Sequence, residues 1–430
     1  MFRFKLFRSV VCVVLLGSGF ISSAAAQYIL RDLGTLGTDE GSPLGYSIST
    51  GVNNLGQVTG VSSDPAAGTD RAFLYSHGVM TSLGSWSYSS GAGINDAGQV
   101  TGTGYANPAA DPHPFIYTAG VMTDLGTLLE PLAGVTSVGN DINNSGQVAG
   151  WSQAGPGCGS GSACDAHAFI STAGVMTDLG TQEGPRPGPY QNSSFAYAIN
   201  NYGHVVGSSG TGDPIEGARH AFEYSNGAMK DLGVLASNKS EALAINDSGQ
   251  IVGYSSTTDE FAGYVLIEGA EYSRFYHAFL YSAGTMTDIG TLGGQLSFAT
   301  GINSSGDVVG WSTLAGDDAW SYFLYTSDTG MVDLNSLLPP GSRWDAFAAW
   351  WWGPDINDSG QITGTGYIDG TYHAFLMSPS NVSGVPEPPI IGLLLAGLFA
   401  MGLLARNRDR QSVAVTSMPP AAFVARGRPI

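Results

Sequence analysis

Residues 245–253 read Ile245-Asn246-Asp247-Ser248-Gly249-Gln250-Ile251-Val252-Gly253, and the recurrence of this stretch decides the fold. An asparagine with a glycine three residues on, set against a β-branched run, is a tight turn. The Asn side chain starts it, and the glycine takes the positive φ that closes a bulged hairpin. A variable loop leads to His277-Ala278-Phe279-Leu280-Tyr281, and a Gly-containing turn leads on to Met286-Thr287-Asp288-Ile289-Gly290. Two hairpins, or four short strands, thus fill one unit, which matches the size and content of a propeller blade.

The Ile/Val-Asn-x-x-Gly turn recurs at Asn53, Asn95, Asn143, Asn200, Asn246, Asn303 and Asn357, with the turn glycines 42, 48, 57, 46, 57 and 54 residues apart. A β-solenoid would want a shorter and more uniform period; variable loops on a fixed four-strand unit suit a ring. Runs like His-Ala-Phe also number seven, centred on Phe73, Phe115, Phe169, Phe222, Phe279, Phe323 and Phe375. Runs like Asp-Leu-Gly that follow such a strand number six, at Leu83, Leu125, Leu179, Leu232, Ile289 and Leu334. The missing one stands at the other end, in Tyr28-Ile29-Leu30-Arg31-Asp32-Leu33-Gly34. The expected fold is therefore all-β: a single β-propeller over 27–380, of seven four-stranded blades, closed by the N-terminal strand.

Composition agrees. Glycine is 62 of 430 residues, about twice average usage, and only 12% of residues are charged, which argues against a long helical protein. An apolar fraction of 43% is too high for a disordered chain. The charge is uneven: residues 27–389 hold eight basic and 34 acidic residues, a net −26. A body this acidic repels phosphate backbones, which excludes nucleic acid as a partner. It reads as a solubilising skin or as a means of cation capture.

Both ends read as addresses. Residues 1–26 form a signal peptide, with Arg3, Lys5 and Arg8, an apolar stretch and Ala24-Ala25-Ala26 before Gln27. Cys12 leaves with it, and the remaining pair, Cys158 and Cys164, reads as a disulfide in an oxidising compartment. A linker over 381–389 contains Val385-Pro386-Glu387-Pro388. An uncharged run over 390–405 is read as a transmembrane helix, though at ~1.5 Å per residue it falls short of a ~30 Å hydrocarbon core. A basic tail, 406–430, with Arg406, Arg408 and Arg410, would stay in the cytoplasm.

This three-part end resembles the PEP-CTERM sorting signal of Gram-negative bacteria. The resemblance implies recognition by an exosortase-type membrane protease, a transient stay in the inner membrane, loss of the helix, and release to the cell surface or extracellular matrix. The chain departs from the pattern by continuing over Gln411 to Ile430. The repeats resemble those of HAF-repeat extracellular proteins, since His-Ala-Phe stands unaltered at 167–169, 220–222, 277–279 and 373–375. Arg71-Ala72-Phe73, His113-Pro114-Phe115 and Ser321-Tyr322-Phe323 depart from it. That resemblance implies secretion and a repetitive β fold, and no known reaction.

Chemistry is sparse. His113, His167, His220, His277 and His373 share one repeat position, on the third strand of each unit, so a ring would spread them apart; each reads as a hydrogen-bonded residue fixing a strand start. The Asn-Asp-Ser-Gly turns at 246–249 and 357–360 distantly suggest calcium loops, but the ligand alternation and distant Glu of an EF-hand are missing. No cofactor is expected beyond calcium. No Gly-x-Ser-x-Gly elbow, phosphate loop or His-Glu-x-x-His helix occurs. Trp344, Trp350, Trp351 and Trp352 crowd the approach to the last turn. Consecutive strand residues alternate faces, so these rings read either as packing between blades or as a platform for surface polysaccharide or a matrix protein. The expected role is a secreted, non-catalytic structural or binding module; the alternative is an extracellular polysaccharide-active hydrolase or lyase on a propeller scaffold.

Overall fold

A computed structural model describes residues 28–380 apart from 38–44, 107–110, 130–131, 155–157, 159–164, 183–192, 212–217, 237, 258–264, 268–269, 273–274, 339–343 and 348–352. Among these residues the regular structure is β-strand, plus one 3-10 turn at Leu334–Leu337. None of it forms a helix long and apolar enough to cross a membrane. The signal peptide, the sorting segment and its apolar run lie outside the described residues.

Antiparallel four-stranded sheets follow one another along the chain. Sheet A comprises Ser47–Val52, Val58–Asp64, Thr69–Ser76 and Val79–Ser82; sheet B comprises Tyr88–Ile94, Val100–Tyr105, His113–Thr118 and Val121–Asp124. Sheet C comprises Ser137–Ile142, Val148–Gln153, Ala166–Thr172 and Val175–Gly180; sheet D comprises Ser194–Ile199, Val205–Gly210, Arg219–Ser225 and Ala228–Asp231. Set E (Ser240–Ile245, Ile251–Ser256, Tyr276–Ser282, Thr285–Asp288) and set F (Gly293–Ile302, Val308–Leu314, Trp320–Thr326, Gly330–Asp333) touch in parallel at Tyr276 and Leu296, and so form one eight-stranded sheet. Sheet G takes its strands from both ends of the fold. Tyr28–Asp32 pairs with Thr371–Pro379, which pairs with Ile362–Ile368, which pairs in turn with Trp344–Phe347 and Asp355–Ile356. The arrangement is a β-propeller.

Each repeat motif has a mechanical task. A bulge interrupts the first strand of sheets A to D and of sets E and F, as between Ala242 and Ala244, and drives a carbonyl toward the second strand. A Cβ on Gly253 would stand 1.9 Å from the Glu241 carbonyl oxygen, so only glycine fits. Facing that glycine across the ladder is Phe279, fully buried; the same pairing recurs as Gly60 with Phe73 and Gly364 with Phe375. The hairpin between third and fourth strands bends at pairs such as Ala283-Gly284, with φ of 50° and 85°, the two positive values of a type I′ turn.

The His-Ala-Phe and Asp-Leu-Gly motifs latch each sheet to the next. In sheet D, His220 Nδ1 lies 2.9 Å from Asp231 Oδ2, and Gly233 N donates to Asp231 Oδ1 at 2.7 Å. Leu232 N donates to the Ala221 carbonyl; Ala221 N donates to Ser240 Oγ of set E, whose hydroxyl donates back to the Gly233 carbonyl at 2.6 Å. The departures carry substitutes. Arg71 faces a unit with Ser82 in place of the aspartate, and bonds the Gly84 carbonyl instead. Ser321 donates to Asp333, which caps the 3-10 turn at Leu334 where other units have Asp-Leu-Gly. Pro114 has no N–H to offer, and Ser137 Oγ turns to the Trp151 carbonyl.

Apolar cores sit between consecutive sheets rather than within one. Phe279, Ile251 and Ile245 of set E pack with Val206 and Ala221 of sheet D, and Ala374 and Leu376 of sheet G pack with Phe73 and Val58 of sheet A. At the first turn of every unit the buried asparagine Nδ2 donates to the next turn's asparagine carbonyl. Asn53 reaches Asn95 at 2.9 Å, and the series runs through Asn143, Asn200, Asn246 and Asn303 to Asn357, which returns to Asn53 at 2.8 Å. The circuit closes on itself and marks the axis.

Candidate functional site: the variable-loop face

Because the strands are antiparallel, connections alternate between two faces. On one face every turn between first and second strands has five residues. On the other, the second-to-third connection ranges from the two residues Asp369-Gly370 to nineteen residues over 257–275. One face is constant and the other variable, and variable loops on a rigid frame are where binding surfaces are built.

The constant face closes over an axial cavity of about 200 Å³. Outside the asparagine circuit runs a second ring, in which Asn54 N donates to Asp96 Oδ1, Asn201 N to Asp247 Oδ1 and Ser304 N to Asp358 Oδ1, each at 2.9 Å. Asp247 and Asp358, the residues of the Asn-Asp-Ser-Gly turns, therefore serve as acceptors for neighbouring backbone. Among the described residues no group of three or more His, Cys, Asp or Glu is placed to hold a metal.

Two carboxylates point into the cavity. Asp141 accepts from Ile142 N at 2.8 Å and, across the gap between sheets, from Ile199 N at 2.9 Å. Asp355 accepts from Val52 N at 3.0 Å. Enclosure raises Asp141 to about 7 despite these donors, with the charge of Asp355 adding to the rise; enclosure likewise raises Asp355 to about 6. Elsewhere this position holds Gly51, Gly93, Ala198, Ala244 or Gly301, so the sequence did carry the signal: two aspartates where the repeat wants a small residue.

The five motif histidines are committed to their latches: His113, His167, His220, His277 and His373 bond Asp124, Asp178, Asp231, Asp288 and Asp32. The bond to Asp178 raises His167 above its ordinary value. Burial pushes Asp178, Asp231 and Asp288 up, but the histidine and the glycine N–H outweigh it and hold each below the ordinary carboxylate value.

The variable face carries an aromatic band from sheet C to set F. Trp151 meets Phe195 edge-on at 5.4 Å; Tyr254 meets Tyr276 edge-on at 5.4 Å and Phe298 at 4.5 Å; Phe298 stacks on Trp311 at 4.3 Å. Cations lie on these rings. Arg219 Cζ sits 4.4 Å over Phe195, and Lys239 Nζ sits 5.8 and 5.6 Å from the Tyr254 and Tyr276 centroids. Glu241 lies between, 3.4 Å from Lys239 Nζ and accepting from the Tyr197 hydroxyl at 3.1 Å. Burial, then the Glu241 charge, raises both Tyr197 and Tyr254, so these phenols stay protonated donors. Sequence reasoning passed over this band, because its rings come from six strands and from different repeat positions. The available signal was scarcity: Arg219 and Lys239 are two of eight basic residues in 27–389.

Of the tryptophans, Trp344 is half-buried, edge-on to Phe375 at 5.8 Å and packed on the core between set F and sheet G. Trp350, Trp351 and Trp352 lie outside the described residues, as do Cys164, Val385, Pro386, Glu387, Pro388, Arg406, Arg408 and Arg410. Cys158 is buried and disulfide-bonded.

No protein-family model and no curated protein matches the chain. Among solved structures, an oligogalacturonate lyase in complex with manganese aligns at 11% identity and a TM-score of 0.48, over 82% of this chain and 93% of that one. The β-propeller domain of the Trilobed protease from Pyrococcus furiosus aligns at 10% and 0.29, over 56% and 84%. A polysaccharide lyase aligns at 10% and 0.36, over 83% and 98%. The likeness is one of fold alone, and no residue or activity is transferred from it.

Proposed function

We propose that the chain is a secreted, seven-bladed propeller that acts at the cell surface or in the extracellular matrix as a non-catalytic binding module, with its ligand, a surface saccharide, held at the variable face. Seven buried asparagines in one circuit support the blade count. The signal peptide, the Pro-Glu-Pro motif and the arginine cluster support export and processing by an exosortase-type protease, and a bridge between Cys158 and Cys164 fits that compartment. One observation carries the binding reading: aromatic rings and the scarce cations gather on the face whose loops vary, while the opposite face is spent on ring closure. Catalysis finds no support in the motif histidines, each tied to its aspartate.

Two measurements test this. Intact-mass analysis of the extracellular protein should find a new C-terminus near Pro388; a chain ending at Ile430 in that fraction overturns the sorting assignment. The secreted protein should be retained on the producer's own surface polysaccharide without shortening it. Accumulation of oligosaccharides that stops on a single Asp, Glu or His substitution would show an enzyme instead.

A further inference from the structure

Arg219 and Lys239 stand side by side. Their backbones form a parallel bridge, and Arg219 N donates to the Asn238 carbonyl at 3.2 Å. Adjacent cations repel, and among the described residues no counter-charge matches both. Glu241 serves Lys239, with its other oxygen taken by Tyr197. Arg219 is left under-used: its Nε is enclosed with no hydrogen-bond partner, and its Nη2 makes only a 3.5 Å contact to the Ser193 carbonyl. Its guanidinium carbon nonetheless sits 4.4 Å over the Phe195 ring, itself braced edge-on by Trp151. The result is a fixed, incompletely bonded cation beside a second one, on an aromatic floor, in a body that is otherwise strongly acidic.

We propose that Arg219 and Lys239 form a subsite for the carboxylate of a hexuronate unit in an acidic polysaccharide. The assignment rests on the saccharide-binding reading above and narrows its ligand class. A guanidinium presents paired donors that match a carboxylate, and the ammonium adds a second charge-assisted bond. The C–H face of a pyranose ring is apolar enough to lie on the neighbouring aromatic rings. The body's negative charge opposes a polyanion, but in physiological salt it is screened beyond about 8 Å, so attraction is confined to the units in contact with this pair.

The test is calorimetric titration of the secreted protein with oligogalacturonate and with the same oligosaccharide after carboxyl reduction. The acidic form should bind about tenfold or more tightly than the neutral one, as one charge-assisted bond predicts. Arg219→Gln and Lys239→Gln should each remove most of that difference. Equal affinity of the native protein for both forms overturns the acidic subsite and leaves saccharide binding standing. Binding of neither form overturns the acidic subsite, while retention on the producer's own polysaccharide decides the saccharide-binding reading separately. The carboxyl-reduced ligand alters no residue, so this comparison decides the matter even where a variant fails to fold.

Discussion

His373 Nδ1 lies 2.9 Å from Asp32 Oδ1, across 341 residues of sequence. It is the latch that sheets B, C and D and set E carry, assembled here from the two ends of the fold. Leu33 N donates to the Ala374 carbonyl, Ala374 N to Ser47 Oγ, and Ser47 Oγ to the Gly34 carbonyl. The closing joint should therefore respond to side-chain loss as an internal joint does. Asp32→Ala and Asp231→Ala should each cost ~1 kcal/mol in denaturant unfolding. Deleting Tyr28 to Gly34 should cost far more, because it strips a strand from Thr371–Pro379 and exposes an edge that invites aggregation. Equal stability of the deletion and the point variant would argue against a closed ring.

The cavity carboxylates give a pH dependence of definite sign. Asp141 and Asp355 are raised from 3.8 to about 7 and about 6, so the folded state holds protons that the unfolded chain has released. Stability should rise as pH falls from neutral toward 4, and fall as pH climbs through 6 to 7. Asp141→Asn should flatten that slope, as read by unfolding at a series of pH values. Below pH 4 the trend should reverse, because Asp178, Asp231 and Asp288 are held below the ordinary value and lose their contribution on protonation.

Asn246 makes four hydrogen bonds through its side chain: Nδ2 donates to the Asn303 carbonyl and Gln250 Oε1, and Oδ1 accepts from Ser248 N and Gln250 N. It is buried. Asn246→Ala should cost ~2–4 kcal/mol, since it leaves several enclosed polar groups unpaired. Asn201→Ala, on the exposed outer ring, should cost ~1 kcal/mol or less. Chemical denaturation of the two variants gives the comparison.

Gly253 and Gly249 stand four positions apart and fail for different reasons. Alanine at Gly253 would drive its Cβ into the Glu241 carbonyl, and the fold should not tolerate it. Alanine at Gly249 meets nothing within 4 Å and carries only the strain of φ near 75°, ~1 kcal/mol. Soluble yield and melting temperature should separate them clearly.

The strands were legible because each motif has one mechanical cause and recurs with it. Asn246 and Gly249 mark a turn wherever the pair occurs, and the displaced Asp-Leu-Gly at 32–34 reveals the strand exchange by simple counting. The histidines were legible as hydrogen-bonded, though not as latches, since the partner serine, Ser240 for His220's unit, lies in the next repeat. The candidate site was not legible. Phe195, Arg219, Lys239 and Tyr254 converge only after sheets D and E pack face to face, and no periodicity links their positions. The tryptophans drew attention by crowding, yet Trp344 turned out to abut the buried Phe375.

Tyr28 and Pro379 are partners in the ladder, and Gln361 of the last asparagine turn bonds Ser378 at 2.9 Å. Both ends of the ring thus leave from one corner, on the side of the constant turns. The chain therefore leaves residue 380 on that side, with Arg219, Lys239 and their aromatic floor on the opposite face. Held by its C-terminal end, the ring would turn its variable loops, rather than its constant turns, toward the surroundings.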